Sequence, residues 1–194
     1  MLTIPAPYLK AALTHAGDRD IRGYLNCVRV EVVSTGDVYI VATDGARLFA
    51  GRIPAANVQA PALPLVPMAV SIPRDTVKRA LSSRIASLTL RVDPLALGDV
   101  SFVQPDGVYP DWRRVVPPAE ADAAPADFHW QLLADAESAL RTWCGKPHML
   151  AHTSIRGENP ALVTCSDENV FAVVMPARLK ADAPPFAQRF EPIR

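Results

Sequence analysis

Cysteine and histidine are the side chains with the most chemistry to offer, and four of them are suggestively spaced: Cys144, His148, His152 and, further on, Cys165. Four such ligands are what a tetrahedral zinc site takes. The segment between them argues otherwise. Gly145 and Pro147 interrupt any helix that would stack His148 over His152. In a strand the two imidazoles would stand ~13 Å apart, at about 3.3 Å per residue, too far for one ion. The sequence is therefore read as holding no metal and no cofactor. It also shows no nucleophile paired with a base, no phosphate-cradling glycine loop and no framed pair of acids. Asp44 and Asp111 read as turn residues and Trp112 as core. Nothing asks for catalysis, so the chain is not read as an enzyme.

The remaining chemistry is recognition. Arg74, Lys78, Arg79 and Arg84 gather on one short stretch opposed only by Asp75, and Lys10 stands alone on an earlier one. An ordinary solvated helix face explains the pattern. The stretch 38–48, VYIVATDGARL, alternates Val38, Ile40 and Ala42 with Tyr39, Val41 and Thr43. That period of two suits a half-buried strand. Asp44-Gly45 then supplies the positive-φ backbone of a tight hairpin.

Positioning elements surround these residues. Leu2–Ile4 lead into Pro5 and Pro7, which suit a helix start, and apolar residues at helical spacing run from Tyr8 to Ala16. A β-rich run covers 21–34. Ile72-Pro73 through Leu81 then repeats the pattern of Ile4-Pro5 through Leu13 at constant offset, the mark of stacked equivalent units. Strands are expected at 88–92 and 100–104. A fainter third unit has a helix at 128–143 and strands at 161–165 and 170–175. The segment 54–67 reads as a linker, 117–126 as the best boundary, and 180–194 as an extended tail. The division expected is 1–118 with two units and 119–194 with one.

Three stretches, 38–48, 109–117 (YPDWRRVVP) and 173–179 (VVMPARL), resemble signatures of the bacterial sliding clamp, the β subunit of the replicative DNA polymerase. The resemblance implies an α+β processivity fold: amphipathic helices on antiparallel strands, about three units in this chain. It implies an apolar pocket for Leu/Phe-containing peptides of polymerases and other replication or repair proteins. Carried over, the wall is Leu25, Thr43, Gly45, Arg47 and Leu48; then Pro110, Arg114 and Val115; then Val173, Val174, Met175, Pro176 and Arg178. Aliphatic and Met surfaces adapt to Leu and Phe anchors, and a turn glycine lets a peptide approach the backbone. Ala46 and Ala177 depart from the His and Met often found there, which bears on peptide preference. The DNA-facing set is Lys10, Arg74, Lys78, Arg79 and Arg84.

The same resemblance implies non-specific contact with double-stranded DNA, a clamp loader as a further partner, and assembly as a monomer or small homo-oligomer. A two-chain ring is not expected from three units. An adaptor or competitor of the host clamp, keeping the pocket without encircling DNA, is the alternative. The balanced charge, 20 basic against 20 acidic residues, excludes neither. No apolar run approaches the ~20 residues of a membrane helix. No secretory pattern opens the chain, and three unpatterned cysteines read as reduced thiols in a cytoplasmic protein.

Overall fold

The computed structural model describes residues 1–59, 67–81, 84–117, 128–147, 149–154 and 160–177. The tail 180–194 and nearly all of the expected boundary segment lie outside the described residues, as do His148, Arg178 and the middle of 54–67.

The chain begins with strand β1 (Leu2–Pro5), helix α1 (Ala6–Leu13) and strands β2 (Cys27–Val32), β3 (Val38–Thr43) and β4 (Arg47–Ile53). The same order returns as β5 (Met68–Pro73), α2 (Arg74–Ala80), β6 (Ser87–Val92), β7 (Leu95–Leu97) and β8 (Val100–Ser101). Helix α3 (Trp130–Cys144) and strands β9 (His152–Ser154), β10 (Ala161–Thr164) and β11 (Val170–Val174) follow. Both β1 and β5 end in a proline that caps the next helix from an extended conformation, with φ near −55°. Proline's fixed φ suits that position, and the helix start needs no amide hydrogen there. Strands β7 and β9 are not foreseen in the sequence, being short and without clear alternation.

The two first strands are exchanged. β1 lies beside β6 in a four-stranded sheet, β1-β6-β7-β8, whereas β5 lies beside β2 in a seven-stranded sheet, β5-β2-β3-β4-β11-β10-β9. Each helix therefore crosses from one sheet to the other, which binds the repeats into one body. The larger sheet also crosses the boundary expected near residue 118, because β4 pairs antiparallel with β11, Leu48 opposite Val173. One apolar core includes side chains from both sides of that boundary, Leu9, Ile40 and Phe49 with Leu140, Val163 and Ala172.

Alternation assigns the two faces of the larger sheet. Val28, Val30, Ile40, Ala42 and Phe49 meet the helices. Val41, Leu48, Ala50 and Val173 meet Tyr109 and Trp112 on the opposite face. On the helix side α3 packs on α1, β4, β10 and β11. Its buried stripe is Ala136, Ala139, Leu140 and Trp143, residues three and four apart as a helix face requires. The Trp143 ring stacks on Tyr8 at 3.7 Å between centroids and lies against Gly51, where no side chain intervenes. Among the described residues, three helices packed on antiparallel sheets make the α+β arrangement anticipated above. Among the described residues no helix is long and apolar enough to cross a membrane.

Candidate functional site

The hairpin tip between β3 and β4 is built from its own hydrogen bonds. Thr43 Oγ1 donates to the Arg47 carbonyl at 2.7 Å and accepts the Gly45 amide at 3.1 Å. The Asp44 carboxylate accepts the amides of Ala46 and Arg47, at 2.9 and 3.0 Å, and Nε of Arg47 at 3.0 Å. Such an Asx arrangement is how a short acidic side chain stabilises a turn. Gly45 has φ +91°, and a Cβ there would lie 3.2 Å from the Arg22 guanidinium. The positive φ is what favours glycine at this position. Met175, just past β11, donates its amide to the Ala46 carbonyl at 2.8 Å.

A one-turn 3-10 segment, Gly23–Leu25, brings Leu25 against this tip. A second, Trp112–Val115, lies over the outer face of the sheet. Trp112 is pinned there: its indole Nε1 donates to Glu31 at 3.3 Å, and Arg113 donates to the same carboxylate at 3.1 Å. The Arg113 guanidinium also lies 4.2 Å from the Trp112 ring centroid, a cation–π contact. Burial pushes the phenol of Tyr109 well above its ordinary range, so this neighbour is packing rather than an acid–base group.

These pieces enclose a cavity of about 290 Å³. Its wall includes Leu25, Thr43, Gly45, Arg47, Leu48, Pro110, Val115, Val173 and Met175, brought together from three distant stretches. Three of the remaining expected residues lie elsewhere. Val174 faces the helices and is fully buried among them; in a strand, adjacent residues point to opposite faces, so Val173 and Val174 cannot both line one wall. Arg114 is exposed and Pro176 half-buried, and neither lines the cavity. Arg178 is outside the described residues. Arg22, Tyr24, Asp111 and Trp112 also line it. Trp112 was read as core, and it is core on one side and wall on the other. Arg22 and Tyr24 carried no local signal, because the loop's path decides their position.

Both arginines at the cavity are paired, and the Asp111 carboxylate accepts the Arg113 amide at 3.3 Å. Arg22 forms an ion pair with Asp20 at 2.8 Å. Arg47 joins Asp44 and reaches Asp135 on α3. Burial pushes the Asp135 carboxyl up, but hydrogen bonds from Arg47 and Gln131 outweigh it and hold the group below the usual carboxylate range. Behind Arg47 sits His15, fully buried; burial and then Arg47 lower it to about 3, so it is neutral.

The basic set divides. Lys10, Lys78, Arg79 and Arg84 are exposed. Arg74 is not spread over a helix face: its guanidinium donates to the carbonyls of Leu13 and Ala16, at 2.9 and 2.5 Å, where α1 ends. Unpaired carbonyls at a helix C-terminus attract a cation, and Arg74 supplies it.

With this geometry in hand, the class of fold is that of the DNA polymerase sliding clamps. Two solved structures from Pseudomonas aeruginosa match it, the DNA polymerase sliding clamp with ligand and the DNA polymerase III subunit beta. Each aligns with a TM-score of 0.65 at 17% identity, over 91% of this chain and 65% of the clamp chain. The chain thus spans about two thirds of the length of the clamps it matches. By sequence, no protein-family model and no curated protein matches it.

Proposed function

We propose that this protein is a clamp-like binding module that captures short Leu- and Phe-containing peptides of DNA replication or repair proteins. One observation carries the reading: residues from 25–48, 110–115 and 173–175 converge on a single cavity with a largely apolar wall. Leu25, Leu48, Val115, Val173 and Met175 suit buried aliphatic and aromatic anchors, while Gly45 leaves backbone open to a peptide. A short flexible peptide loses chain entropy on docking, so affinity near 1 μM, about −8 kcal/mol, is expected. Titrating a fluorescent Gln-x-x-Leu-Phe peptide tests this. Saturable micromolar binding supports the reading, and no binding to the folded protein refutes it.

Tethering of such partners to double-stranded DNA, with a loader acting on several copies, is the larger role this reading extends to. Exposed Lys10, Lys78, Arg79 and Arg84 support it. The engagement of Arg74 at the end of α1 favours a second reading, an adaptor that holds the peptide without encircling DNA. Salt-dependent retention on a duplex supports the tether, since phosphate contacts release counterions; its absence at low salt supports the adaptor.

A further inference from the structure

Cys144 and Cys165, scattered in the sequence, meet in the fold. Cys144 closes α3, Cys165 follows β10, and their Sγ atoms are 3.8 Å apart. Both thiols are partly exposed, whereas Cys27 is buried. Asp167 completes the cluster: its Oδ2 is 3.9 Å from Cys144 Sγ and its carbonyl 3.7 Å from Cys165 Sγ. The peptide pocket uses none of the three.

We propose that Cys144 and Cys165 form a reversible disulfide site, with a small-molecule disulfide such as oxidised glutathione as its oxidant. The bond requires the sulfurs to close from 3.8 Å to about 2.05 Å. Only weak S–H contacts to Asp167 are given up. In the first step the Cys165 thiolate attacks one sulfur of the oxidant. The Cys165 mixed disulfide forms, the oxidant's own S–S bond breaks, and one glutathione thiolate leaves. Cys144 then loses its proton to solvent and attacks Sγ of Cys165, expelling the second glutathione. Two protein thiols are oxidised and one glutathione disulfide is reduced to two thiols.

The order follows from the surroundings. Burial, then Cys165 and Asp167, hold the Cys144 thiol up, which disfavours it as the first nucleophile. Its step accelerates as pH rises, because the thiolate is the nucleophile. Closure ties the end of α3 to β10 across 21 positions of sequence. The same helix carries Asp135, so the cross-link fastens the element that holds Arg47.

The test uses the full chain in glutathione buffers of graded ratio, quenched by alkylation and read by intact mass and peptide mapping. The expected product has lost two hydrogens, carries a 144–165 cross-link, melts at a higher temperature and is reversed by dithiothreitol. Cys144→Ser should instead retain a glutathione adduct on Cys165. Two freely alkylated thiols at a ratio that oxidises a model dithiol would overturn the proposal. A disulfide to Cys27 or between chains would also overturn it.

Discussion

Arg47, beside the hairpin tip, reaches Asp135 on α3, a residue 88 positions away. The same arginine is held from the other side by Asp44 at 3.0 Å. The pocket wall is therefore set jointly by a local turn and by a helix from the far end of the chain. Removing Asp135 leaves Arg47 with one partner and more freedom. Asp135→Asn is expected to weaken peptide binding several-fold while the protein remains folded, as titration and a melting curve together would show. Unchanged affinity would mean that Asp44 alone positions the arginine.

Met175 is the cleaner probe of the apolar wall. It is 37% exposed, so truncation removes contact with a peptide more than with the core. Met175→Ala should cost on the order of 1–2 kcal/mol of binding, roughly tenfold in affinity. Leu48 is 2% exposed and packs under Trp112 and Val173, so Leu48→Ala should also destabilise the fold by about 2–5 kcal/mol. Chemical denaturation of both variants separates the two effects.

His15 makes stability depend on pH. Its folded value is about 3 against an ordinary 6.5, so between those values the unfolded chain binds more protons than the native one. Stability is then fully present above pH 6.5 and falls as the solution is acidified towards pH 3, by at most about 1.4 kcal/mol per pH unit. Asp135, held below the usual carboxylate range, adds to the loss only at the acid end, as it becomes protonated. His15→Gln should flatten the slope between pH 6.5 and 4 in urea unfolding at several pH values. A slope equal to the parent's would show that other groups carry it.

Gly51 lies beneath the Trp143 ring, and a Cβ would collide with it. That ring already stacks on Tyr8 and lies against Phe49, so a retreat would disturb both contacts. Gly51→Ala should destabilise by about 1–3 kcal/mol, the usual cost of overpacking, and a lower melting temperature would report it. A neutral result would show that α3 can shift outward.

Arg74 and Lys78 should behave differently although they are neighbours on α2. Arg74→Ala removes hydrogen bonds at the end of α1 and should lower stability by about 1–2 kcal/mol. Lys78 is exposed, so Lys78→Ala should leave stability within about 0.5 kcal/mol. If the protein contacts DNA, Lys78→Ala should reduce the salt slope of binding. Equal melting curves for the two variants would remove the capping role from Arg74.

The sequence by itself determined the local elements and their faces. Alternation along 38–43 separates core from outer face, Asp44-Gly45 requires the turn, and Pro5 and Pro73 start helices in matching places. These follow from backbone sterics and a period of two or 3.6, which neighbours in the chain are enough to express. The stretches that line the cavity were legible too, because they resemble clamp signatures. Tertiary structure alone decided the rest. The exchange of β1 and β5 between sheets and the pairing of β4 with β11 depend on long-range hydrogen bonding that no local pattern encodes. The recruitment of Arg22 and Tyr24 to the cavity, the spending of Arg74 on the end of α1, and the meeting of Cys144 with Cys165 depend on where loops and helix ends arrive. A side chain's type states what it can bind, and only the packed chain states what lies within its reach.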